Sequence, residues 1–163
     1  MRVRSLLLPK AAARIDRSSE PPVLYVLMTL GKAASELVEA QMEAHEYAES
    51  LYLNAMIDSC MFAFEAQLLP QLAELCRAEG YGICRQLRIP AELPEDGIRK
   101  AADAMEAERI LGLRVLENGG MMLPVKSMCL AFRLTDDPEQ MHMEHDCSTC
   151  DAGDCPLRER VNA

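Results

Sequence analysis

Cys147, Cys150 and Cys155 stand with two and four residues between them, just behind His142 and His145. Short connections let three sulfurs converge on one ion at small closure cost. Soft thiolates select zinc, copper(I) or an iron–sulfur cluster over magnesium or calcium. With His145 as fourth ligand the set matches a structural zinc site. A cluster asks for four thiolates, the fourth then coming from Cys84, Cys129 or another subunit. The spacing also leaves open redox thiols, disulfides, or a cysteine-rich tail without chemistry.

A second stretch, Arg109 to Ser127, reads as strand, glycine turn, Met-Pro and strand. Gly119 and Gly120 permit close approach of a ligand or another backbone. Glu117 can accept hydrogen bonds from a cationic or amino-bearing ligand, and Lys126-Ser127 follows the turn. An ordinary hairpin with surface polar residues is the alternative. The chain has no phosphate-binding P-loop, no Gly-x-Gly-x-x-Gly, no Gly-x-Ser-x-Gly elbow and no His-Glu-x-x-His.

The elements that must position these residues sit in a chain of 163 residues, half of them hydrophobic, long enough for one domain with a real core. The net charge of −9 argues against nucleic acid and anionic membrane surfaces as partners. No apolar run reaches a membrane span, and the start, Met1 to Pro9, is too short in its hydrophobic part for a signal peptide. Seven cysteines, an odd count with Cys60 and Cys76 in helix-like stretches, fit a reducing cytoplasm better than a secreted scaffold. Eleven Met and no Trp indicate an adaptable aliphatic core.

Residues 1–20 read as an arm with one short strand, and residues 21–137 as the domain. Val23 to Leu30 is a continuous β-prone run closed by Gly31, which fits a buried strand. Lys32 to Ala44 is helical. From Leu53 to Cys76 apolar residues recur at three- and four-residue steps, and the stripe continues past Pro70, which predicts one long kinked helix. Strands are expected over 83–89, 111–116 and 126–134, with a helix over 95–108. Asp136-Asp-Pro138 is expected to end the ordered pattern, leaving 138–163 as a Cys/His-rich metal-binding tail. The fold class is α+β: a twisted mixed or antiparallel sheet packed with helices.

Several of these residues resemble the activation (reactivation) domain of cobalamin-dependent methionine synthase, and its smaller stand-alone relatives more closely. Met121-Met122-Leu-Pro124-Val-Lys126-Ser127 is similar to the Met-Met-x-Pro-x-Lys-Ser of those relatives. Thr29-Leu-Gly31-Lys32 is similar to the family's Thr-x-Gly-Lys strand end, and Leu53-Asn54-Ala55 to its Leu-Asp-Ala at the head of the long helix. Arg88 to Pro94 takes the place of its Arg-x-x-Pro-Gly-Tyr segment. The motifs run in the family's order over roughly residues 22–135. Departures are Glu92-Leu93 in place of Gly-Tyr and Asn54 in place of an acid.

The resemblance implies a domain that binds S-adenosylmethionine, whose methyl group re-methylates a cobalamin lapsed to the cob(II) state. The cobalamin is carried by a partner, a corrinoid-binding protein or methyltransferase, and a flavodoxin-type or other donor supplies an electron. It implies Arg88 on the ligand carboxylate and Glu117 on an amino or ribose group, with Lys126 and Ser127 beside them. The cysteine tail lies beyond the resembling region, as a structural zinc site or a built-in electron relay. The alternative functions are an iron–sulfur electron-transfer or sensor module and a non-enzymatic, zinc-stabilised binding module.

Overall fold

A computed structural model describes residues 6–116 and 121–144. The chain is α+β. Strands β1 (Lys10–Asp16), β2 (Val23–Thr29), β3 (Gly82–Gln86) and β6 (Ser127–Thr135) form one sheet in the order β1-β2-β6-β3, every pair antiparallel. Helices α1 (Lys32–Glu43) and α2 (Tyr47–Ala78) follow β2, and α3 (Gly97–Ala104) and α4 (Ala107–Leu111) follow β3. A two-stranded ribbon, β4 (Arg114–Val115) with β5 (Met122–Leu123), precedes β6.

The uninterrupted apolar run of β2 has a direct cause: every residue of the strand is buried, because both faces of the sheet are covered. Alternate side chains point to opposite faces. Leu24, Val26 and Met28 pack with Leu130, Phe132 and Leu134 of β6 against Ile57, Met61, Leu72 and Cys76 of α2. Val23, Tyr25 and Leu27 pack with Cys129 and Ala131 against Ile98, Ala101 and Ala102 of α3 and Leu111 of α4. Two such cores flank β2 and β6, the two inner strands of the sheet.

The short strand expected in the N-terminal arm is β1, an edge strand paired along its whole length with β2. Helix α2 begins at Tyr47, a turn and a half before the apolar periodicity starts, and continues unbroken through Pro70 to Ala78. The helix expected over 95–108 is divided, since Glu106 takes a left-handed conformation (φ 49°) between α3 and α4. Gly112, also left-handed, ends α4, so the strand expected over 111–116 shrinks to the two residues of β4.

Order does not stop at Pro138. The Ile83 amide donates to the Gln140 carbonyl at 2.7 Å, and the His142 amide to the Ile83 carbonyl at 2.9 Å. Gly82 permits this approach: a Cβ there would lie 1.8 Å from the Asp137 carbonyl oxygen. No helix among the described residues is long and apolar enough to cross a membrane.

Candidate ligand-binding site

The end of β2, the first half of α2 and the start of β6 meet at one point. Leu30 donates its amide to the Lys126 carbonyl at 2.9 Å, which fixes the strand ends side by side. Thr29 is fully buried, and its hydroxyl accepts from Ser127 Oγ at 2.9 Å and from the Gly31 amide at 3.1 Å. The Lys126 amide reaches Ser35 Oγ on α1 at 3.3 Å. Gly31 holds φ 87°, a left-handed value that glycine adopts without steric cost, and turns the chain directly into α1.

Lys126 then extends to α2. Its ammonium donates to Asn54 Oδ1 and Asp58 Oδ1, both at 2.6 Å, while Asn54 Nδ2 donates to Asp58 Oδ2 at 3.0 Å. The Lys126 side chain is only 11% exposed, against 45% for Asp58. A nearly buried ammonium therefore has both an anion and a neutral acceptor, which a buried charge requires. Asn54 stands where the resembling family has an acid, and the acid is present one helical turn later. Asp58 was not among the residues singled out from sequence. Its signal was a polar pair at i,i+4 on the inner side of an otherwise apolar helix, spacing that places two side chains together.

Beside this cluster lies an open cavity of about 490 Å³ between α1, α4 and the β4–β5 ribbon. That volume is within the roughly 300–1,000 Å³ of small-molecule sites. Ser35 belongs to both the wall and the cluster. The wall carries the cations Lys32 and Arg114, the acids Glu36, Glu39 and Glu108, and an apolar strip, Leu123-Pro124-Val125. Lys32 bonds to Glu36 at 2.7 Å, and that hydrogen bond raises the lysine pKa. Donating cations and accepting carboxylates around an apolar strip suit a zwitterion with an apolar body. None of Arg114, Glu108 or Ser35 was marked from sequence, because α4 and the ribbon approach α1 only in the folded chain.

Of the residues expected at a site, Lys126 and Ser127 are brought together here. Arg88 belongs to a different cluster, at the end of β3. Glu92 takes a two-pronged contact from Arg85, Nη1 to Oε2 at 3.0 Å and Nη2 to Oε1 at 2.6 Å. It also accepts the Arg88 amide at 2.9 Å, with Arg88 Nε 3.5 Å away. The Arg85 hydrogen bonds, then the Arg88 amide, hold the Glu92 pKa down to about 2. Glu92 therefore clamps its own loop through two arginines.

Glu117, His145, Cys147, Cys150 and Cys155 lie outside the described residues. Among the described residues no group of three or more His, Cys, Asp or Glu side chains is placed to hold a metal ion. Cys84 is half-buried on β3, and Cys129 is buried on β6 with its thiol pushed up to about 12 by desolvation. Such a thiol stays protonated and is a poor metal ligand without a change in its surroundings. No protein-family model matches the chain, and no curated protein matches it.

Proposed function

We propose that this chain is a stand-alone relative of the methionine synthase activation domain. In this reading it binds S-adenosylmethionine in the cavity beside Lys126 and assists the reductive re-methylation of a corrinoid protein in the cytoplasm. The observation that carries the reading is spatial. Thr29-Leu-Gly31-Lys32, Leu53-Asn54-Ala55 and Lys126-Ser127, far apart in sequence, are joined by hydrogen bonds at one point. Motifs that carry the resemblance thus share one location, next to a cavity of ligand size.

The residues present fit the ligand. S-adenosylmethionine carries a carboxylate, an amino group and a sulfonium on an apolar and heteroaromatic frame. Lys32 and Arg114 suit the carboxylate, Arg114 with the planar fork that such groups favour. Glu36, Glu39 and Glu108 suit the amino group and the sulfonium, and Leu123 to Val125 the frame. Arg88 does not line this cavity, so in this proposal Lys32 and Arg114, which do, take the carboxylate role that the resemblance gives to Arg88. Lys126 and Ser127 position the wall through Ser35 and Thr29.

Bound there, S-adenosylmethionine supplies an activated methyl group, and the corrinoid and the electron belong to partners. The test is a transfer assay with methyl-labelled S-adenosylmethionine, a cob(II)alamin-loaded corrinoid protein and a low-potential reductant. Label is expected on the cobalamin at a rate proportional to the amount of this chain. An equal rate with and without the chain would overturn the reading.

A further inference from the structure

Helix α2 has an outer face that takes no part in the two cores built by the described residues. Ile57, Met61, Leu72 and Cys76 point into the sheet and are buried. On the opposite side Tyr52, Ala55, Met56, Ser59, Phe62, Ala63 and Ala66 recur at three- and four-residue steps, and all seven are exposed. At 3.6 residues per turn they form one stripe about four turns long. No charged residue falls on it, in a chain whose residues are 26% charged. Tyr52 is 72% exposed, Phe62 60% and Leu51, at the margin, 71%.

We propose that this face binds a second copy of the same chain, α2 against α2 in antiparallel fashion, about a two-fold axis passing at Ser59. Three features carry this choice of occupant. The first is self-complementarity, which a two-fold interface demands. Rotation about Ser59 sets Tyr52 of one copy against Ala66 of the other, Met56 against Phe62, and Ala55 against Ala63. Large side chains meet small ones or interdigitate, and the axis itself is occupied by one of the smallest residues. The second is neutrality: for an acidic molecule of net charge −9, self-association is opposed least at a face that itself presents no charge.

The third feature is area. Full burial of an aromatic side chain covers about 150–250 Å². Scaled by the exposures of Tyr52 and Phe62, with Leu51, Met56 and the small residues added, each copy offers roughly 500–600 Å². The pair buries about 1,000–1,200 Å², at the threshold of specific interfaces. An interface of that size fits a concentration-dependent dimer rather than a permanent one. The inference stands apart from the ligand reading, since none of these side chains belongs to the Lys126 cluster or the cavity wall.

Sedimentation velocity on the full chain under reducing conditions, from about 1 to 300 μM, tests it. A monomer–dimer equilibrium is expected, shifted at least tenfold toward monomer by Ser59→Glu, which places like charges on the axis. Tyr52→Lys, well off the axis, is expected to weaken it as well. Both positions are exposed, so circular dichroism and thermal midpoint are expected to stay near those of the unaltered chain. A chain that is monomeric throughout the range would overturn the proposal and leave the face to a different protein. A dimer that survives Ser59→Glu and Tyr52→Lys unchanged would place the contact elsewhere and overturn it equally.

Discussion

Replacing Lys126 by Met keeps most of the side chain's apolar stem and removes its charge. Two charge-assisted hydrogen bonds disappear, those to Asn54 and Asp58. Each is worth about 1.5–3 kcal/mol when shielded. The Lys126 end is nearly buried, but Asp58 is 45% exposed and recovers water once its partner is gone. Exposed ion pairs contribute only about 0–1 kcal/mol. The Asn54 bond is therefore counted near its full value and the Asp58 bond at the lower limit, which gives a loss of about 2–3 kcal/mol. In a domain of this size that lowers the thermal midpoint by roughly 5–10 °C. Urea unfolding followed by circular dichroism measures it, with Asp58→Asn and the double variant completing a cycle. The expected coupling between the two sites is about 1 kcal/mol. A Lys126→Met loss below about 0.5 kcal/mol, with no coupling, would refute the claim that this cluster holds the strand ends and α2 together.

Three further outcomes follow from the structure. The depressed Glu92 pKa makes its clamp a source of stability above the ordinary carboxylate value of 4.5, lost as pH falls toward about 2. Relative to Glu92→Gln, the native chain is expected to be more stable by about 1–2 kcal/mol at neutral pH, the advantage vanishing in that acid window. Parallel pH profiles of the urea midpoint would contradict it. Burial pushes the thiols of Cys76 and Cys129 up to about 11 and about 12. Alkylation with iodoacetamide and peptide mapping should mark the half-buried Cys60 and Cys84 well before either, and equal rates would refute the burial argument. Gly82→Ala drives a Cβ into the Asp137 carbonyl and is expected to cost about 2–3 kcal/mol or release residues 137–143 from β3. Loss of exchange protection at the Ile83 amide reports the second outcome; unchanged stability together with unchanged protection would refute the contact.

Much of the fold was legible because period and burial coincide in it. The apolar run of β2 announced a buried strand, and the inner stripe of α2 followed its contact with the sheet through Pro70. The break at Glu106 was not legible, since a non-glycine residue in a left-handed conformation leaves no composition signal. Nor was the attachment of residues 140–142 to β3, because a glycine at position 82 does not by itself tell which backbone will approach it. For the site, sequence isolated Lys126 and Ser127 but not Asp58, Ser35 or Arg114. Those residues acquire their roles from contacts between elements that are distant in the chain. Arg88 shows the converse: sequence marked it, but its contact with Glu92, four residues on, is visible only in three dimensions.

Titration calorimetry of the full chain with S-adenosylmethionine tests the central claim most directly. One molecule is expected to bind per chain, with affinity reduced at least tenfold by Arg114→Ala and by Glu108→Gln, while the fold of both variants persists by circular dichroism. Absence of any heat up to millimolar ligand, with or without a cobalamin-loaded protein present, would contradict the account.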